Sequence, residues 1–140
     1  MIPYLFDRVI VRSNGADEMF KEAVPILGVS SSVAAEEFYC GKLGFGRVYA
    51  WRPHPTKQDP CYMGVVRDSA HIVVSSFPGD GPPGTRTVQI YVEDAAAVYE
   101  EYRQAGIAVG KLWDQSWGNI EFSFEDPDGN SLCIAQDKNG

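Results

Sequence analysis

WGNIEFSFEDPDGNSLCIAQ, residues 117–136, reads as two strands joined by a tight turn. Ile120, Phe122 and Phe124 alternate with Glu121, Ser123 and Glu125, the period-2 pattern of a strand with two different faces. Asp126-Pro127-Asp128-Gly129 then supplies a turn with a mechanism: Pro127 presets φ, Asp128 can bond its own backbone, and Gly129 takes positive φ without a Cβ clash. The chain returns with Leu132 and Ile134 on one face and Ser131, Cys133 and Ala135 on the other. With Pro127-Asp128-Gly129 as the loop, Asp126 opposes Asn130 and Ser123 opposes Cys133. That register puts Glu121, Ser123 and Cys133 on one face and packs Ile120, Phe122 and Phe124 under a helix.

The rest of the chain supplies the elements this hairpin needs. Val24 to Val29 is a short apolar strand, with Ile26 and Gly28 on one face and Leu27 and Val29 on the other. Ser30-Ser31-Ser32 offers N-cap hydroxyls to a helix whose Glu36 and Glu37 complement its dipole, and Gly44 is its left-handed terminus. Strands are predicted over Arg47–Arg52, Tyr62–Arg67 and Ala70–Ser76, with a Pro-rich loop after the first. Pro78 to Gly84 is too rich in Gly and Pro for regular structure. The pattern then begins again. Thr87–Val92 is a strand and Asp94 an N-cap. Ala95, Val98, Tyr102 and Ala105 form a helical stripe ended at Gly106, and Val109–Gln115 is a further strand.

The fold expected is therefore α+β, a βαβββ unit written twice into curved mixed sheets. The first unit spans about 19–77, the linker about 78–86 and the second unit about 87–137, all within one domain over 19–140. Residues 1–18 form an extension that suits an extra strand, an interface arm or disorder equally. At 140 residues, 44% hydrophobic and 22% charged, the chain can bury a single core. A net charge of −7 argues against nucleic acid as a partner, and no apolar run is long enough to span a membrane. Cys40, Cys61 and Cys133 are odd in number and without CxxC spacing, which suits a reducing, cytoplasmic setting rather than a disulfide framework.

The Trp-Gly pair, the alternating strand, DPDGN and the short final strand resemble the vicinal-oxygen-chelate superfamily of glyoxalases, bleomycin resistance proteins and dioxygenases. The WG…EF…DPDGN form looks most like the bleomycin-resistance branch. The resemblance implies that the sheets curl into a cup, commonly built across a homodimer with halves from different chains facing each other. Enzymes of the superfamily hold a divalent metal on the first and last strands of each unit. Registered on the helix ends and on DPDGN, this sequence offers Val24, Val73, Thr87 and Cys133 at those positions. Valine donates no lone pair, so neither metal nor other cofactor is expected. His71 shares a strand face with Val73 and is the residue that a two-residue register change would bring inward. Cys133 has no His or carboxylate paired with it in sequence, and His54 sits in a loop between prolines.

What the chain has in place of ligands is aromatic surface. Trp51, Trp113 and Trp117 fall at strand ends or loops, Tyr49 and Tyr91 on strands, and Tyr62 opens one. Rings on a concave wall bind flat heteroaromatics by stacking and cations through their quadrupoles. Trp117 and Trp51 are expected as stacking platforms, Tyr49, Tyr62, Tyr91 and Trp113 as lining, Glu121 as charge partner, with Ser123 and Cys133 beside it. The function this implies is sequestration of a planar cationic ligand, such as a bleomycin-like antibiotic, by a metal-free dimer with no catalytic residues. The alternative is a metal-dependent lyase, isomerase or dioxygenase of the same superfamily.

Overall fold

The computed structural model describes residues 19–114, 116 and 118–139. The extension over 1–18, Gln115 and Trp117 lie outside the described residues. In the first half, β1 (Ile26–Gly28) leads to α1 (Ser32–Tyr39), then β2 (Gly46–Trp51), β3 (Tyr62–Arg67) and β4 (Ala70–Ser75). In the second, β5 (Thr87–Tyr91) leads to α2 (Ala95–Gln104), then β6 (Trp113–Asp114), β7 (Asn119–Glu125) and β8 (Ser131–Asp137). The two sheets have the same order, β1-β4-β3-β2 and β5-β8-β7-β6. In each the leading strand runs parallel to the last and the remaining pairs are antiparallel. This is the twice-written βαβββ unit.

Local chemistry explains most of these boundaries. Ser31 Oγ accepts the Ala34 N–H at 3.1 Å and Asp94 Oδ1 accepts the Ala97 N–H at 3.0 Å, so each helix begins at a side-chain cap. Gly44 and Gly106 end them at φ +81° and +83°, a conformation that costs a residue with Cβ. Glu36 and Glu37 lie beyond the first turn of α1, so they do not serve its dipole as expected; Glu36 instead meets Arg47 at 3.4 Å. The strand expected over Val109–Gln115 shrinks to Trp113–Asp114. Upstream of it Gly110 N–H is spent on Ser123 O at 2.8 Å and Val109 N–H on Ile107 O, so no regular ladder forms there. Within the expected linker, Pro78–Asp80 winds into a single 3-10 turn.

The helix-covered faces of both sheets feed one core. Leu27, Met63, Val65, Ile72 and Val74 from the first sheet join Phe122, Phe124, Leu132 and Ile134 from the second, with Phe38, Tyr39 and Tyr102 from the helices between. Within the second half Phe124 meets Tyr102 edge-on at 5.4 Å, and across the seam it meets Phe38, tilted, at 6.2 Å. Ile120, expected beneath the helix, is only half-buried, and Ala105 at the end of the α2 stripe is exposed.

The β3–β4 and β7–β8 hairpin tips each rest on the other half. The β7–β8 turn is the more elaborate. Asp126 Oδ1 accepts the N–H groups of Asp128 and Asn130, both at 2.9 Å, so Asp126, and not Asp128 as expected, closes the turn. Asp128 reaches across instead, accepting Ser30 Oγ–H at 2.7 Å and Ser30 N–H at 3.2 Å. Asn130, fully buried, donates to Gly28 O and to Asp126 Oδ2, both at 2.8 Å, and accepts the Arg86 N–H at 3.0 Å. Tyr39 O–H donates to Asp126 Oδ2 at 2.8 Å; burial, reinforced by that carboxylate, pushes its hydroxyl far above the ordinary range. At the other end Arg67, beside the β3–β4 turn, forks onto Glu101 at 2.8 and 3.0 Å, and Tyr102 O–H donates to Leu43 O at 2.9 Å. Because Asn130 satisfies three buried groups at once, Asn130→Ala is expected to cost about 2–4 kcal/mol in chemical denaturation. A loss under about 1 kcal/mol, the scale of a surface change, would show that the turn does not join the halves.

Candidate functional site

With the helix-covered faces spent on the core, each sheet keeps one uncovered face directed away from it. The pairings assign its residues. On the first sheet Tyr49 lies opposite Gly64 and Trp51 opposite Tyr62, while Gly64 pairs with Val73 and Val66 with His71. A register shift between Arg47 and Tyr49 turns both β2 aromatics outward, whereas strict alternation would give Val48 and Ala50 a share of the face. Tyr49, Trp51, Tyr62, Val73 and His71 are thus one surface. On the second sheet Trp113 faces Glu121, Ser123 faces Cys133, and Gln89 and Tyr91 flank Cys133 and Ala135. The register read from DPDGN holds, and Glu121, Ser123 and Cys133 share the uncovered face as expected.

The first surface is built around a missing side chain. Tyr49 lies flat on Gly64: a Cβ there would sit 2.2 Å from the Tyr49 Cζ. Gly in a strand serves such close approach. The ring stacks nearly parallel to Tyr62 at 6.4 Å, and its hydroxyl reaches His71 Nε2 at 2.9 Å across β3. His71 Nδ1 contacts Glu22 Oε1 at 3.2 Å. Burial, with Tyr62 and Glu22 nearby, raises the Tyr49 hydroxyl, so it stays protonated near neutrality. Trp51 stacks on Phe77 with centroids 5.3 Å apart and planes within 7°. In the sequence Phe77 is marked only as an apolar residue beyond the end of a strand. Trp51 remains 59% exposed and Tyr49 42%, high values for large rings in a folded chain.

The second surface carries Tyr91 and Trp113, 57% and 51% exposed, beside a carboxylate. Lys111 Nζ sits 4.2 Å from the Trp113 ring centroid, so one face of that indole already holds a cation. Glu121 Oε2 accepts from Asn119 Nδ2 at 3.5 Å and lies 3.9 Å from Cys133 Sγ. Burial pushes the Cys133 thiol up, a hydrogen bond from Ser123 opposes it, and Glu121 adds to it. The net rise leaves a protonated, weakly nucleophilic thiol. Trp117 lies outside the described residues.

Among the described residues the expected ones thus fall into two groups on different sheets. A groove of about 960 Å³ between the β3–β4 turn and β5–α2 brings His71 and Tyr91 to one space, but of the expected ligand residues only Tyr91 lines it. The four residues that the sequence resemblance assigns to metal positions do not compose a metal site. Val73 is buried between Ile26 and Gly64, Val24 precedes β1, Thr87 is opposite Ser131, and Cys133 is opposite Gln89. Among the described residues no group of three or more His, Cys, Asp and Glu side chains is placed to hold an ion. No helix among the described residues is long and apolar enough to cross a membrane, and Cys40, Cys61 and Cys133 are free thiols.

Residues 24–134 match the model of the Glyoxalase/Bleomycin resistance protein/Dioxygenase superfamily. Among solved structures, a glyoxalase/bleomycin resistance protein from Streptomyces sp. CB03234 is 26% identical with TM-score 0.68, over 83% of this chain and 100% of that one. TnmS3, an antibiotic binding protein from the same organism, is 25% identical with TM-score 0.65, over 86% and 99%. A bleomycin-binding protein complexed with bleomycin is 23% identical with TM-score 0.67, over 84% and 99%, a likeness of fold. No curated protein sequence matches the chain.

If Gly64 exists to seat Tyr49, Gly64→Val will lift the ring off the sheet at about 1–3 kcal/mol of overpacking. The Tyr49–His71 hydrogen bond will break, shifting the imidazole NMR signals of His71. Unshifted His71 signals in a folded variant would mean the ring does not depend on the glycine.

Proposed function

Since the chain belongs to the glyoxalase/bleomycin resistance protein/dioxygenase superfamily, we propose that it binds and sequesters a planar, cationic small molecule between two copies of itself. The observation that supports this reading is the pair of uncovered faces, with four large rings about half exposed and one carboxylate; the family resemblance adds valine at two of the four positions it assigns to metal ligands. Rings left in water are an uncompensated apolar surface unless something covers them. A second copy related by a twofold axis covers them reciprocally, setting the first sheet of one chain against the second sheet of its partner. That pairing brings Tyr49, Trp51 and Tyr62 opposite Tyr91, Trp113 and Glu121, with Trp117 a further platform from the sequence.

The mechanism needs no bond to break. A flat heteroaromatic slides between rings, gaining stacking energy and releasing water from both surfaces. Glu121 supplies the charge that a cation loses on leaving solvent, and overall acidity draws cations toward the site. Resistance would follow because a held molecule cannot reach its target; TnmS3, which this chain resembles, is an antibiotic binding protein. A cytoplasmic setting suits the free thiols.

Titration with a cationic glycopeptide of the bleomycin class is expected to quench tryptophan fluorescence at one ligand per pocket. Trp51→Ala and Trp117→Ala should each weaken binding by about 1–3 kcal/mol, the scale of lost stacking and cation–π contact. Glu121→Gln should weaken it as well, and that loss should shrink as salt rises. No binding by either cationic or neutral aromatics, or equal binding by the tryptophan variants, would end the sequestration reading. Sedimentation should find a dimer at micromolar concentration, and a monomer that still binds would remove the shared pocket. Elemental analysis should find no stoichiometric metal; near one zinc, iron, manganese or nickel per chain, lost together with an activity, would move the protein to the metal-dependent enzymes.

A further inference from the structure

On the uncovered face of the first sheet, three side chains from three places in the sequence form a line: Glu22 Oε1 to His71 Nδ1 at 3.2 Å, and His71 Nε2 to Tyr49 Oη at 2.9 Å. We propose that Glu22 and His71 orient the Tyr49 proton so that Tyr49 presents its oxygen to the ligand as a hydrogen-bond acceptor, selecting planar cations that carry N–H donors over their alkylated counterparts. This rests on the sequestration reading and narrows its ligand class.

The argument is one of proton counting. An ionised carboxylate only accepts, so the Glu22 contact requires a proton on Nδ1 of His71. A neutral imidazole carries one N–H, which leaves Nε2 with a lone pair and nothing to donate. The 2.9 Å contact is then a Tyr49 O–H donating to Nε2. A phenol has a single proton, and here it is spent inward. Toward solvent the oxygen offers lone pairs alone. The site geometry fixes where they are offered. Because the ring lies flat on Gly64 with 42% of the residue exposed, a molecule stacked over Tyr49 and Tyr62 has its edge beside that oxygen. An amino or amidinium N–H at this edge finds an acceptor; a dimethylated nitrogen meets lone pairs without a partner and carries its methyl groups into the contact. Tyr49 touches the ligand in this scheme, whereas His71 and Glu22 act through it as positioning residues.

Two measurements decide it. In the free protein at about pH 8, where an ordinary imidazole is neutral, nitrogen NMR of His71 should show Nδ1 protonated and Nε2 bare, and Glu22→Gln should mix the tautomers. The opposite tautomer in the unaltered chain would overturn the proposal. Fluorescence anisotropy with two planar acridine cations tests the ligand class: proflavine, which carries amino groups, and acridine orange, in which they are dimethylated. The dimer should prefer proflavine by roughly three- to tenfold, the worth of one hydrogen bond. In Tyr49→Phe and in His71→Phe that ratio should fall toward one. Equal affinity for both dyes in the unaltered protein overturns this inference and leaves sequestration standing. If neither dye binds, the sequestration reading fails and this inference fails with it.

Discussion

The buried amide of Asn130 is the contact on which the arrangement of the molecule depends. It lies in the second half, yet it satisfies Gly28 O in the first, and its own oxygen takes the Arg86 N–H at the entrance to β5. Around it Asp126 gathers two backbone N–H groups and the Tyr39 hydroxyl, and Asp128 holds Ser30. A buried polar group without its partner costs more than a satisfied one contributes, so this turn admits few other placements of the first half. The second hairpin tip does the same service in reverse. Arg67 pins Glu101 and the Leu43 carbonyl, where Tyr102 also donates. Two tyrosines near the ends of equivalent helices thus mark the two ends of one seam.

That seam has a consequence for function. Locking the helices between the sheets commits both helix-covered faces to one core and leaves both remaining faces outside. A chain with no use for those faces would carry polar side chains there. This one carries Tyr49, Trp51, Tyr91 and Trp113, together with Glu121. Val73, on the same face, is buried opposite Gly64, the residue under the Tyr49 ring. Under the proposed reading these rings would meet flat molecules, and selectivity among them would lie in how a few protons are held.

Energetically the two faces are unequal. The first is pre-organised: Tyr49 has no room to rotate into the sheet, Tyr62 and Phe77 brace its neighbours, and His71 fixes its hydroxyl. Little ordering entropy remains to be lost when a ring arrives. The second face spends its indole on Lys111 and its carboxylate on Asn119, contacts that any incoming cation would have to exchange. Under the proposed reading, binding energy on that side would be a difference between two satisfied states, which favours selectivity by charge over raw affinity.

The sequence by itself determined whatever depends on neighbours along the chain. The period-2 run set β7, Gly44 and Gly106 ended the helices, and DPDGN set a register accurate enough to place Glu121, Ser123 and Cys133 on one face. These follow from local sterics and alternation, which act within a few residues. Tertiary structure alone decided the rest. The shift in β2 that turns Tyr49 and Trp51 outward, the seat for Tyr49 on Gly64, and the stacking of Phe77 on Trp51 depend on strands brought together by folding. The exchange of roles between Asp126 and Asp128 has the same origin, since Ser30 lies 98 residues from the aspartate it bonds. Which carboxylate closes a turn and which crosses to a neighbour is set by where that neighbour stands, and no local preference encodes it.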